Sequence, residues 1–188
     1  MLEIPDAVSI VTMQAISGAG YPGVASWDIL ANVIPFIGGG EEEKIETETN
    51  KILGSLQQGA VVNHPLKISA AVTRVPVHDG HTASVSVSLE QRPDAAAIVD
   101  AWQSFRGKPQ ELKLPSAPPQ PIVYLTEQNR PQPALDAHRD GGMTVTVGRL
   151  RPCPVLDYKF VALGHNTIRG AAGAAILNAE LMHSEGLL

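Results

Sequence analysis

The chain has 188 residues, 44% hydrophobic, 18% charged and 4% aromatic, and its 14 basic against 19 acidic side chains give a net charge of −5. That length suits one domain with a sizeable core or at most two small ones, and the acidic balance is a poor footprint for nucleic acid. The lack of any uninterrupted apolar run of roughly 18 residues argues against a bilayer span, while a single cysteine and the leaderless start MLEIPDAVSIV point to a reducing, cytoplasmic setting.

Val8 to Gln14 is short and β-branched and reads as a strand, emptying into the turn-rich SGAGYPG at 17–23. From Val24 to Ile34 the apolar residues Val24, Trp27, Leu30, Val33 and Ile34 recur at helical spacing, and Pro35 with Gly38 to Gly40 ends the run. EEEK at 41–44 opens a second helix, its acids placed where the helix dipole favours them. Its apolar stripe is Ile45, Ile52, Leu53 and Leu56, and Gly59 follows its end. Ile68 to Val75 and Thr82 to Leu89 read as strands. The latter alternates Ala83, Val85, Val87 and Leu89 on one face with Thr82, Ser84, Ser86 and Ser88 on the other. Ala95 to Phe105 reads as a short helix with Ile98, Val99, Trp102 and Phe105 inward, and the Pro-rich 107–121 reads as an irregular arm. Three further strands follow at Ile122–Leu125, Met143–Leu150 and Val155–Leu163, the first two separated by the polar loop 127–142. An alanine-rich helix runs from Asn166 to Ser184. Strands and helices do not alternate as regular βαβ units. The class expected is therefore α+β, a mixed, largely antiparallel sheet with helices on one face.

Several groups could carry chemistry. GAGYPG at 18–23 matches a dinucleotide fingerprint in spelling, but the region after the next helix holds no buried strand ending in an acid, and Pro22 removes an N–H. It reads as a strand-to-helix turn whose glycines let backbone approach a ligand. Arg74 ends one strand and His81 begins the next, so the connection RVPVHDGH brings a carboxylate-gripping fork and a proton-handling ring to one place. A hairpin with exposed polar residues is the alternative. A metal reading would use His78, Asp79 and His81, but lacks a cysteine or second carboxylate, and no metal is expected. Glu41 and Lys44 share a helix face at i,i+3, as a site pair or a solvated one. Cys153 lies between Pro152 and Pro154, with no helix N-terminus to lower its pKa, and reads as structural. In the last helix, Gly170, Gly173 and five alanines make a nearly side-chain-free surface. Ile168, Ile176, Leu177, Leu181 and Met182 add apolar bulk all round, and such a helix is expected to be buried.

The stretches TMQAISGAGYPG (12–23), NVIPFIGGGEEEKIETETNKILG (32–54), ISAAVTRVPVHDGHT (68–82) and HNTIRGAAGAAILNAEL (165–181), in this order, resemble aspartate-β-semialdehyde dehydrogenase, the fungal and archaeal branch above all. The resemblance implies the C-terminal fold of glyceraldehyde-phosphate dehydrogenases. It also implies an NADPH-dependent reduction of β-aspartyl phosphate to the semialdehyde, through a cysteine thioester with release of phosphate, on the route to lysine, threonine and methionine. By resemblance Gln14 would orient the reacting carbonyl, Glu41 bind the α-ammonium, Arg74 the α-carboxylate and Lys44 the phosphate, with His81 as general acid/base. Asn166 would contact the carboxamide of the NADP nicotinamide, and the SGAG loop at 17–20, with Ser17 and Gly18, would line the cofactor and substrate cleft.

The resemblance further implies a nucleotide-binding domain and a nucleophilic cysteine ahead of the first matched stretch. The expectation is a substrate-binding and dimerisation domain over 1–163, followed by a helix at 164–188 that would pack on that absent domain, the chain being inactive alone and forming a homodimer or higher homo-oligomer. Malonyl-CoA and N-acetylglutamyl-phosphate reductases share the architecture, but the Glu41 and Arg74 pair suits a substrate with both a free amine and a carboxylate. A purely structural dimerisation module is the remaining alternative.

Overall fold

A computed structural model describes residues 5–188. Strand β1 (Ala7–Gln14) leads into a 3₁₀ turn at Ile16–Ala19 and then α1 (Ser26–Ile29), a single turn. Helix α2 (Glu41–Ile52) is followed by β2 (Ser55–Gln57), β3 (Ala60–Val62), β4 (Lys67–Arg74) and β5 (His81–Ser88). Next come α3 (Ala95–Ser104), the single turn α4 (Lys108–Glu111), β6 (Ile122–Leu125) and the single turn α5 (Pro133–Asp136). Strands β7 (Val145–Pro152) and β8 (Tyr158–Gly164) precede a π-turn at Ile168–Ala172 and the last helix, α6 (Gly173–Ser184). Six strands form one sheet in the order β4-β1-β5-β8-β7-β6. The pairs β1–β5, β5–β8 and β7–β8 are antiparallel, and β1–β4 and β6–β7 are parallel. The class is therefore the mixed α+β expected.

The core forms where α3 lies on the sheet. Asp94 caps that helix by accepting the Ala97 N–H at 2.8 Å. Its Ile98 packs with Val85, Val87 and Leu89, the apolar face of the alternating strand. Trp102 meets Phe160 edge-on at 5.0 Å between ring centroids. On the opposite face Val11 and Ser84 are cross-strand partners and both exposed, so that side of the sheet is open.

The helix expected over 24–34 contracts to one turn. Leu30 returns to extended backbone, Ala31 takes φ 52°, and Ile34 bridges to Arg74 as a strand would. Among the described residues nothing buries the apolar stripe, Trp27 being 93% and Leu30 67% exposed, and a short helix without a packing surface does not persist. Leu56, expected on the second helix, lies instead on β2. A β2–β3 hairpin turns at Gln58 and Gly59, both with positive φ. Phe105 is half exposed rather than inward. The arm 107–121 and the loop 127–142 each contain a single helical turn, α4 and α5. In the second loop the Arg130–Asp136 ion pair is anchored by the Gln132 N–H on Asp136. Helix α6 buries Leu177, while its Glu180 accepts from Ser116 N–H and Oγ, and Glu185 pairs with Lys108. Ile176 and Met182 on the same helix are exposed, so its burial is one-sided within these residues. No helix among the described residues is long and apolar enough to cross a membrane.

Candidate active site

Three strands meet at one end of the sheet. Gln14, the last residue of β1, pairs with Arg74, the last of the parallel β4. Met13 faces Thr82 of the antiparallel β5, so His81 starts that strand beside the same point. Strands β4 and β5 are not neighbours, because β1 lies between them. The connection 75–80 therefore passes over the end of β1, fastened where Ile16 N–H donates to Val77 O (2.8 Å) and Ser17 N–H to His78 O (3.2 Å). Arg74 and His81 thus converge through an intervening strand rather than across a hairpin.

Both side chains use one residue, Ala15, which is fully buried. Arg74 Nη1 donates to its carbonyl oxygen at 2.8 Å, and its N–H donates to His81 Nδ1 at 3.1 Å. A ring nitrogen that accepts carries no proton, so the neutral imidazole holds its hydrogen on Nε2. Burial, and then the Arg74 charge, pull the His81 pKa down to about 4, which keeps the ring neutral near pH 7. Burial also lowers the Arg74 pKa, opposed by Glu41. Gly18 lies flat against both groups. A Cβ built there would stand 2.8 Å from Arg74 Nη1 and 2.9 Å from His81 Cε1.

Glu41 arrives by a different device. The face of α2 turned to the sheet edge is polar: Glu42 Oε1 accepts the Val72 N–H and Glu46 Oε1 the Ala70 N–H, each at 3.0 Å. Asn50 exchanges both of its amide bonds with the backbone of Leu66. Acceptors at i, i+4 and i+8 stand in for a missing strand along the outer edge of β4. The apolar stripe anticipated for this helix is not its main buried face, since Ile52 is 79% exposed. This zipper sets the first residue of α2, Glu41, at the same end of the sheet.

The result is a cleft of about 540 Å³ reached by Gln14, Ser17, Gly18, Glu41, Arg74, His81 and Asn166. Asn166 is held on two sides, accepting the Gly80 N–H at 2.9 Å and donating to Ser17 Oγ at 2.8 Å. Lys44 stands one turn along α2, outside the lining, with Nζ 3.1 Å from Glu41 Oε1. Thr167 and Ile37 also line the wall without having been singled out in the sequence, and the bridging role of Ala15 belongs to its backbone, which no side-chain pattern signals. His78, exposed, points to Asp79 at 2.6 Å, whereas His81 turns to Ala15, so His78, Asp79 and His81 do not share a focus. A larger apolar pocket of about 870 Å³ beneath α3 offers no ionisable group beyond Arg106 and Tyr158.

Cys153 is remote. Its Sγ is 3.9 Å from Ser86 Oγ, five positions along β5 from His81, or roughly 17 Å at strand spacing. No helix starts at Cys153, and its thiol pKa is lowered instead by the backbone N–H groups of Leu156 and Val155.

A family model, the semialdehyde dehydrogenase dimerisation domain, matches residues 2–169. The chain is 54% identical over 178 residues to the aspartate-semialdehyde dehydrogenase of Methanothermobacter thermautotrophicus, covering 94% of this chain and 51% of that protein. It is 48% identical over 190 residues to the enzyme of the same name from Cryptococcus neoformans, covering 97% and 52%. The crystal structure of aspartate semialdehyde dehydrogenase with NADP from Candida albicans superposes with a TM-score of 0.88 at 42% identity, over 98% of this chain and 52% of that one. The chain thus spans about half the length of the relatives it matches.

Proposed function

This chain belongs to the semialdehyde dehydrogenase dimerisation-domain family, and from that premise we propose that it forms the substrate-binding half of an NADP-dependent aspartate-semialdehyde dehydrogenase. The observation that carries the reading is the shared use of Ala15 by Arg74 and His81, with Glu41 in the same cleft. The substrate, β-aspartyl phosphate, has an α-carboxylate, an α-ammonium, a reacting acyl carbon and a phosphate. Arg74 grips the α-carboxylate with the face of its guanidinium fork not used by Ala15. Glu41 receives the α-ammonium. Lys44, which neutralises Glu41 in the free chain, is released by that exchange and turns to the phosphate. Gln14 holds the reacting carbonyl, and His81 presents its Nε2–H to that oxygen or to the leaving group.

The chemistry requires a thiolate to attack the acyl phosphate, forming a carbon–sulfur bond as the carbon–oxygen bond to phosphate breaks. Cys153 stands too far from His81 to serve, so the thiolate comes from outside the described residues. A nicotinamide cofactor supplies hydride when bound, and the Asn166 amide with the Ser17–Gly18 turn would hold its carboxamide edge. That surface suits a flat group: Gly18 offers no side chain, and the Asn166 amide is fixed by two hydrogen bonds. Glu41 favours this substrate over malonyl-CoA and N-acetylglutamyl phosphate, neither of which brings a free amine.

Calorimetric titration of the chain with L-aspartate-β-semialdehyde tests the reading. Binding by the wild type, lost in Arg74→Leu and weakened in Glu41→Gln, supports it; equal binding by all three sinks it. The exposed face carrying Val11 and Ser84 supports a homodimer, in keeping with the family's description. The exposed Ile176 and Met182 support the docking of segment 164–188 on a nucleotide-binding domain. Sedimentation across concentrations that finds only monomer would remove the dimer from this account.

A further inference from the structure

Beside the cleft, and using none of the groups assigned above, a second cluster gathers. One ligand atom each from Asp79, His138 and His165 lies within 4.8 Å of the others. The three residues come from the turn before β5, the segment after α5, and the segment after β8. The geometry points to a three-ligand site for a divalent transition-metal cation of the zinc class, its fourth position taken by water.

The cluster is built by tight packing, not by chance exposure. Gly80, φ 94°, presses on Ala137, where a Cβ would meet Ala137 Cβ at 3.0 Å, so the segments carrying Asp79 and His138 lie face to face. Gly142, φ 85°, packs on the His165 ring, a Cβ there meeting His165 Cδ2 at 3.2 Å. His165 is 97% buried, given its 3% exposure, and its Nδ1 lies 3.3 Å from Thr167 Oγ1. With Nδ1–H donated to Thr167, the Nε2 lone pair is the free one, the outer-shell arrangement that orients a histidine ligand. The His138 and His165 rings meet edge-on at 4.7 Å between centroids, and the His138 ring makes no hydrogen bond among the described residues. Two imidazoles and one carboxylate select a borderline cation over magnesium or calcium, and carry one negative charge to meet two positive ones. Donors around such an ion sit about 3.3 Å apart for bonds of about 2.0–2.1 Å. With the donor atoms no more than 4.8 Å apart, the cluster closes by relative displacements of about 1.5 Å or less. Since Asp79 adjoins Gly80, and His165 adjoins Asn166, the bound cation clips together the two segments that the Gly80–Asn166 hydrogen bond already joins.

The test uses the 188-residue chain and its binding of Co²⁺, followed by visible absorption, and of Zn²⁺, followed by calorimetry. The wild type should take up one cation per chain with slowed amide exchange at Gly80. His138→Ala, a change at an exposed position that spares the fold, should lower affinity at least tenfold, and Asp79→Asn should lower it as well. His64→Ala, outside the cluster, should leave it unchanged. The inference is overturned if the wild type shows no stoichiometric uptake, if His138→Ala binds within twofold of it, or if His64→Ala abolishes binding. These readouts involve no substrate, so failure here leaves the enzymatic reading untouched, and the converse holds.

Discussion

Replacing Gly18 by alanine isolates the geometry on which the site depends. The added methyl would stand 2.8 Å from Arg74 Nη1, 2.9 Å from His81 Cε1 and 3.1 Å from His81 Nε2. Backbone strain does not enter, because Gly18 lies inside a 3₁₀ turn and its φ is not positive. The softest of the three contacts is the far end of Arg74, which can yield only by leaving the Ala15 carbonyl it holds at 2.8 Å. One charge-assisted hydrogen bond is worth about 1.5–3 kcal/mol, and water recovers part of it, so stability should fall by about 1–2 kcal/mol. Substrate affinity should suffer more, by about 10²-fold, since misplacing a positioning group by about 1 Å typically costs that much. Denaturant unfolding and calorimetric titration with L-aspartate-β-semialdehyde measure the two quantities separately. Affinity within twofold of wild type, at reduced or unchanged stability, would refute the reasoning.

Three further outcomes are expected. His81 should titrate near 4 instead of near the usual 6.5; between those values only the unfolded chain takes up the proton, so its contribution to stability is present above about 6.5 and fades as pH falls towards 4. Nitrogen NMR of the ring should find the proton on Nε2, and a midpoint between 6 and 7 would contradict this. Glu46→Ala removes the acceptor for the Ala70 N–H and should destabilise by about 1–2 kcal/mol, with faster amide exchange at Ala70; unchanged exchange would show that α2 does not seal the sheet edge. Asp136→Ala strands Arg130 and the Gln132 N–H around a residue only 1% exposed and should cost about 3 kcal/mol, lowering the melting temperature by about 6–12 °C at 2–4 °C per kcal/mol; a shift under 2 °C would contradict the ion pair's structural role.

The strands of the large sheet could be read from period-two patterns, because each buries one face and the alternation is written into the residues themselves. Thr82 to Leu89 is the clearest case, its valines packed on α3 and Ser84 left exposed. What escaped was whatever depends on a partner. Trp27, Leu30 and Val33 have helical spacing but no surface among the described residues to pack against, so the pattern outruns the single turn that forms. The buried face of α2 is written in Glu42, Glu46 and Asn50, residues that ordinarily mark a solvated face; here they answer the unpaired N–H groups of an edge strand. Gln58–Gly59, ahead of the apolar run Ala60–Val62 and after Ser55–Gln57, was a hairpin signal available in the sequence. For the cleft, residue types and spacing brought out Glu41, Arg74, His81 and the glycine-rich turn that holds Gly18; Gln14, Ser17 and Asn166 came only through the family resemblance, and the element joining Arg74 to His81 is the peptide backbone of Ala15. His138 and His165, 27 positions apart, carry no spacing that would have paired them.

The most direct measurement is a crystal structure of the chain soaked with L-aspartate-β-semialdehyde. The account predicts the α-carboxylate on the Arg74 guanidinium, the α-ammonium on Glu41 with Lys44 displaced from it, and the aldehyde oxygen within hydrogen-bonding reach of His81 Nε2 and Gln14. A ligand seated elsewhere, or held in this cleft with its carboxylate on Lys44 and Arg74 still turned only to Ala15, would contradict it.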